Sequence, residues 1–336
     1  MKQSRELNIV KALCIILMVI GHTDAPAGVT GFIYLFHMPA FFFLSGYLLK
    51  EKYFKEPVTF IKKRLGTLYA PFVFWELVFL ALTGVFCRLH ILDTDMSFYG
   101  GLAQAFKYIT FRGHQPLLNG YWFLKTLFFC SVICLFLLKW IKVRRWLLVA
   151  AMVLLAGLCQ LVPADTTMIS RLFLACAFYI SGFLFSNRRN EYQIPVYLSM
   201  VALLAVAVVS LFWRESIFVT GGGVVPYYAI AILGTFGVFG IARVLDRTGH
   251  FAGFLDFVGR STLTILTFHL LSFKLVSLFV IRIRHLPIDR LAEFPVIHES
   301  ISYTWPIYVV TGVLVSLLIA LLHKRLRDKS SVIKLF

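Results

Sequence analysis

Acidic residues are scarce in this sequence, 16 Asp and Glu among 336 residues. No period of 20–50 residues repeats along the chain, so it is read as one domain, 1–336. No Gly-x-Ser-x-Gly elbow surrounds Ser45, and no nucleotide fingerprint surrounds Gly221, Gly222 and Gly223. No His, Cys, Asp or Glu set has metal-ligand spacing, so no metal is expected. Charged residues of both signs make up 15% of the chain.

Apolar residues fill the space these absences leave. They make up 60% of the chain, with Phe alone occurring 34 times, against about 45–50% in a soluble domain. Long apolar runs follow one another with little polar sequence between them. Soluble, fibrous and disordered classes are excluded, and an all-α, polytopic membrane bundle is expected. The net charge of +17 then reads as basic cytoplasmic loops and contact with the anionic lipid bilayer rather than with nucleic acid. Of the six cysteines, only Cys87 lies near the boundary of an apolar run, which argues against a disulfide framework. Cys130 and Cys134 share a helix face and read as small packing residues.

Ten spans are expected: 7–22, 32–50, 66–86, 121–139, 146–163, 171–186, 194–212, 224–244, 257–281 and 304–323. The start imitates a signal peptide, but Lys11 beside the apolar stretch and Pro26 inside Ala25-Pro26-Ala27 argue that it is retained. With the N-terminus inside, inner segments carry 22 Lys and Arg, including Lys2, Arg188, Arg189 and five after His323; outer segments carry seven. Both termini are therefore expected in the cytoplasm. The segment 57–65 is expected along the inner surface, and 98–111, within the long outer segment 87–120, as a short helix.

Ionisable groups inside lipid are costly and are functional candidates. Lys11 and His22 lie eleven residues apart, 20° past three full helical turns, and so share one face about 16 Å apart along the axis. A snorkelling lysine and an interfacial histidine are the structural alternative. His37 enters the second span from the outside at a depth like that of His22, which suits a base and its helper. Pro39 deprives the Leu35 carbonyl of its helical donor and predicts a kink. Gly46, between Ser45 and Tyr47, permits close helix approach. Lys62, Lys63 and Arg64 form a basic mouth suited to phosphates or to membrane anchoring. His269 falls near the middle of the ninth span, lining a path or bonding a neighbouring helix; Lys274 is not on its face.

Several stretches together resemble the integral-membrane acyltransferase 3 family. They are Lys11 with His22; Phe36-His37-Met38-Pro39 followed by Phe41-Phe42-Phe43-Leu44-Ser45-Gly46-Tyr47-Leu48; Lys62-Lys63-Arg64-Leu65 with Tyr69 and Pro71; Gly120-Tyr121-Trp122-Phe123-Leu124; and Gly259, Ser261 and Leu266 leading to His269. Lys11 stands where many members have arginine.

The resemblance implies an acyltransferase of the cell membrane, with acetyl-CoA or another acyl-CoA as donor substrate and no bound cofactor. The acceptor would be a hydroxyl of a cell-surface glycan or lipid-linked sugar. It implies His22, His37 and Lys11 as catalytic, and Lys62, Lys63 and Arg64 as donor-binding. Ser45, Tyr47, Trp122 and His269 would line the cavity. It leaves room for a second transferase partner. A transporter or flippase of a lipid-linked sugar is the alternative reading, and a structural membrane partner a third.

Overall fold

The computed structural model describes residues 5–94, 98–162, 166–187, 195–218, 223–298 and 303–329. Lys2, Arg188, Arg189, Gly221, Gly222, Lys334 and the stretch 95–97 of the long outer segment lie outside the described residues. Among those described, the regular elements are helical, with no strand.

Among the described residues sixteen α-helices follow one another: α1 Arg5–Gly21, α2 Ala27–Tyr34, α3 His37–Tyr47, α4 Lys52–Lys55, α5 Pro57–Arg64, α6 Ala70–Ala81, α7 Thr83–Arg88, α8 Phe98–Ile109, α9 Trp122–Trp140, α10 Arg145–Cys159, α11 Thr167–Asn187, α12 Val196–Phe212, α13 Val224–Leu245, α14 His250–Arg260, α15 Thr262–Arg284 and α16 Trp305–Lys329. Among the described residues, seven stretches are long and apolar enough to cross a membrane: Ala27–Tyr47, Pro57–Ala81, Pro116–Trp140, Thr167–Ser186, Val224–Leu245, Thr262–Arg284 and Trp305–Leu326. The other three expected spans correspond to shorter helices, α1, α10 and α12, of 17, 15 and 17 residues.

Two prolines shape the early spans. The break between α2 and α3 falls at Leu35 and Phe36, with Phe36 at φ −145° and ψ −20°. Pro39 then sits in the first turn of α3, where its missing N–H costs little. The kink expected from Pro39 is therefore present, four residues before the ring. Pro71 stands at the start of α6, just after the π-turn Leu65–Tyr69 that joins α5 to α6. A widened turn accommodates a residue that cannot donate four positions back. The segment 57–65 is thus continuous with the third span rather than a separate surface helix.

The chain divides into two compact units. One comprises 1–18, 27–65 and 126–260; the other comprises 19–26, 66–125 and 261–336.

In the first unit, α3 packs on α11, α10 on α11, α12 on α13, and α13 on α3. Glycine sets the α3–α11 separation. A Cβ on Gly46 would lie 1.8 Å from the Tyr179 carbonyl oxygen, and one on Gly182 would lie 1.9 Å from that of Phe43. The two backbones touch, as the small residue in Ser45-Gly46-Tyr47 suggests. Around this contact, Phe43, Phe185, Phe236 and Phe239 form an aromatic cluster with ring centroids 5.2–6.5 Å apart.

The helix α14 is distinct from the ninth span, which was expected to start at 257. It buries Ala252, Leu255, Val258 and Gly259, one face of a 3.6-residue repeat. Gly259 lies against the backbone of α1, where a Cβ would be 1.9 Å from the Asn8 carbonyl oxygen. Asn8 donates to Asp256 at 2.8 Å, Arg260 pairs with Asp256 at 2.8 Å, and Arg5 pairs with Asp246.

In the second unit, α15 packs on α16 and on the 3-10 turn Pro116–Tyr121, and α6 on α8. The helix α8 fulfils the expectation of a short helix within 98–111.

Candidate functional site

The residues selected from sequence divide between the two units. Lys11, His37, Ser45, Tyr47, Lys62, Lys63 and Arg64 belong to the first; His22, Trp122 and His269 belong to the second.

In the second unit, His22 and His269 meet. Their ring centroids are 5.1 Å apart with planes at 74°, an edge-on contact. The helix α1 ends at Gly21, so His22 stands in the turn that closes it, its N–H bonded to the Val19 carbonyl at 3.1 Å. The His269 side chain is fully buried on α15. Its Nδ1 lies 2.9 Å from the Ile265 carbonyl oxygen and 3.1 Å from that of Leu266. A carbonyl oxygen only accepts, so Nδ1 carries the proton and Nε2 holds the lone pair. That Nε2 is buried and has no hydrogen-bond partner in the unit. A buried, unsatisfied acceptor costs about 1–3 kcal/mol.

The same unit holds a group that cation counting passed over. Glu76 is fully buried on α6, inside an apolar run. Its Oε2 accepts the Gln115 N–H at 2.7 Å, while Oε1 has no partner. Gln115 donates through Nε2 to Thr83 at 2.8 Å. Tyr121 and Thr267 share a 2.7 Å hydrogen bond, and Trp75 packs edge-on against Phe268, beside His269. The signal was present in the sequence: a carboxyl within Phe-Val-Phe-Trp-Glu-Leu-Val is as costly in lipid as a buried base. Trp122 is half-buried and touches Phe123 at 6.4 Å between ring centroids.

In the first unit, His37 has a structural task. Its Nδ1 donates to the Ile33 carbonyl at 2.8 Å, and its ring lies 5.6 Å from that of Tyr34. The imidazole thereby occupies a carbonyl at the α2–α3 break. Its Nε2, like that of His269, holds the lone pair. Tyr47 is packed against Phe185 and Phe239, which makes it part of the aromatic cluster.

The three basic residues of α5 have separate surroundings. Lys62 is exposed. Lys63, also exposed, reaches the Tyr53 hydroxyl at 3.5 Å. Arg64 turns inward, donating from Nη2 to Ser45 Oγ at 3.1 Å and to the Tyr179 hydroxyl at 3.4 Å, with its guanidinium 4.8 Å from the Phe60 ring centre. Lys11 is half-buried and lies within electrostatic range of Asp256 and Arg260.

A further constellation in the first unit was not legible from spacing. Cys130 and Cys134 of α9 are joined by Cys176 of α11, all three buried, with sulfur atoms within 4.8 Å of one another. The reading of Cys130 and Cys134 as packing residues took in only their own helix.

An acyltransferase domain, the sequence family that the motifs resemble, matches residues 4–325, nearly the whole chain, and the chain belongs to that family. No curated protein and no solved structure is significantly similar to it.

Proposed function

We propose that this family member is a multi-pass enzyme of the cell membrane that moves an acetyl group from cytoplasmic acetyl-CoA to a hydroxyl of a cell-surface glycan or lipid-linked sugar. Family membership supports acyl transfer over transport. The edge-on contact of His22 with His269 carries the mechanistic reading. A neutral imidazole takes the proton of the acceptor hydroxyl. The alkoxide oxygen attacks the thioester carbonyl, the carbon–sulfur bond breaks, and the coenzyme leaves as a thiolate that regains a proton. His22 is the base, because it is half-buried and so open to substrate, whereas His269 is fully enclosed. An acyl-imidazole on His22 is the covalent variant of the same step.

The donor's phosphates would be met by Lys62 and Lys63, the exposed cations of α5. Both termini would lie in the cytoplasm, on the 22-to-7 division of cations. Adding the shorter apolar helices α10 and α12, and the 17-residue helix α1, to the seven long candidates would make ten spans. Cysteine introduced at Gln104 of α8 should be labelled in whole cells, and at Lys324 only after permeabilisation; the opposite pattern overturns the orientation.

The test of the activity is acetyl transfer by purified protein in lipid, followed as coenzyme release that depends on added glycan or lipid-linked sugar. Release at the same slow rate with and without acceptors, unaffected by His22→Ala, would overturn the reading.

A further inference from the structure

We propose that Cys130, Cys134 and Cys176 form a three-thiolate site for a soft monovalent cation, Cu(I), between α9 and α11. Residues four apart on one helix present two sulfurs on one face. The packing of α11 then adds a third, so the donors come from two elements and are held by the fold. All three are buried, with their sulfurs within 4.8 Å of one another. A metal about 2.3 Å from each of three sulfurs in a plane holds them about 4 Å apart, so closure needs movements under about 1 Å. Cys134 currently directs its thiol at the Cys176 carbonyl oxygen, 3.8 Å away, a weak bond that a metal–sulfur bond would readily replace.

The number and type of donors select the ion. Thiolates favour Cu(I), Zn(II) and iron–sulfur clusters. A closed zinc site takes four ligands, and among the described residues the group holds three. Three soft donors in an apolar surrounding suit a soft monovalent ion of low coordination number. Binding breaks S–H bonds and forms Cu–S bonds, and the protons leave to the buffer. The remaining negative charge has a counter-ion nearby. Tyr179 stands three residues after Cys176, on the same face of α11, and its hydroxyl accepts from Arg64 at 3.4 Å. The Arg64 guanidinium lies within electrostatic range of Cys130, with its buried Nε unpartnered.

The experiment titrates the reduced, full-length protein in lipid nanodiscs with Cu(I) under anaerobic conditions, against a chromogenic Cu(I) chelator in excess. One equivalent should be retained by the wild-type protein. Cys130→Ser, Cys134→Ser and Cys176→Ser should each lower the affinity by more than about 100-fold, beyond the 10–100-fold typical of losing an outer-shell partner. Cys14→Ser and Cys159→Ser, which alter cysteines outside the group, should retain the full equivalent. Failure of the wild-type protein to hold Cu(I) against the chelator overturns the proposal, whether or not the variants fold. Retention that survives all three cluster substitutions, or is lost with Cys14→Ser, overturns it as well. A mass-spectrometric disulfide among the three cysteines in protein kept anaerobic throughout would also overturn it.

Discussion

The imidazole of His269 meets that of His22 edge-on, 5.1 Å between centroids, with its proton fixed on Nδ1 by the carbonyls of Ile265 and Leu266. The lone pair on Nε2 is left buried and unsatisfied. In the proposed reaction this arrangement separates two tasks: half-buried His22 would take the proton, and fully enclosed His269 packs edge-on against its ring. Loss of a general base typically costs 10²–10⁴-fold in rate. His22→Ala should therefore reduce acetyl transfer by about that factor while leaving acyl-CoA binding intact. His269→Gln should lower kcat about tenfold or more and shift the pH profile of kcat, because the field beside His22 changes. Retention of more than about a tenth of the wild-type rate by His22→Ala would remove it as the base.

The α3–α11 contact allows no added atom at its glycines. Gly46→Ala would place a methyl group 1.8 Å from the Tyr179 carbonyl oxygen, so the helices must part. Overpacking costs about 1–3 kcal/mol and more when backbone is the obstacle. The thermal midpoint in detergent should fall by several degrees, or the protein should fail to accumulate. Gly157→Ala on α10 is the control. Nothing lies within 4 Å of a Cβ there, and alanine favours a helix over glycine by about 1 kcal/mol, so the midpoint should hold or rise.

How much of this was legible depended on whether the cause was local. The kink before Pro39 and the contact at Gly46 follow from one residue's covalent geometry, and both are present. The helix α14 was merged with α15 because Val258-Gly259-Arg260-Ser261-Thr262 interrupts an apolar pattern only briefly. Its independence comes from Gly259 meeting the α1 backbone, a tertiary fact. Glu76 was legible and missed, since attention to lysine and arginine passes over a lone carboxyl. Cys176 was not legible: its nearness to Cys130 and Cys134 depends on which helices pack together. Nor could sequence show that His22 meets His269, whose positions lie hundreds of residues apart in the chain.

Glu293 gives a pH dependence of known sign. Its carboxyl is held below the usual carboxylate range by the hydrogen bond from Arg290, at 2.5 Å, and by the His298 N–H at 2.8 Å, against a smaller opposing effect of burial. A depressed folded-state value stabilises the protein above the unfolded value of about 4.3. The contribution fades as pH falls through the folded value. Glu293→Gln should be less stable than wild type at neutral pH, and the gap should narrow as pH drops below about 4.3. The check is the thermal midpoint of both proteins across that range. A gap that stays constant would assign the stabilisation to packing instead.

The basic residues of α5 should separate into two phenotypes because they face different surroundings. Lys62 and Lys63 are exposed, while Arg64 is committed inward to Ser45 and Tyr179. Exposed cations attract a polyanionic donor over about a Debye length, so their effect weakens with salt. Lys62→Gln with Lys63→Gln should raise the KM for acetyl-CoA several-fold at low ionic strength, with kcat and the thermal midpoint nearly unchanged. Arg64→Gln removes hydrogen bonds from a charged donor, each worth about 1.5–3 kcal/mol, and withdraws the cation that joins α5 to α3 and α11. It should lower the thermal midpoint, and any rise in KM should be small once folded protein is counted. An Arg64→Gln protein of normal stability with a raised KM would show that the guanidinium leaves Ser45 and Tyr179 to hold the donor.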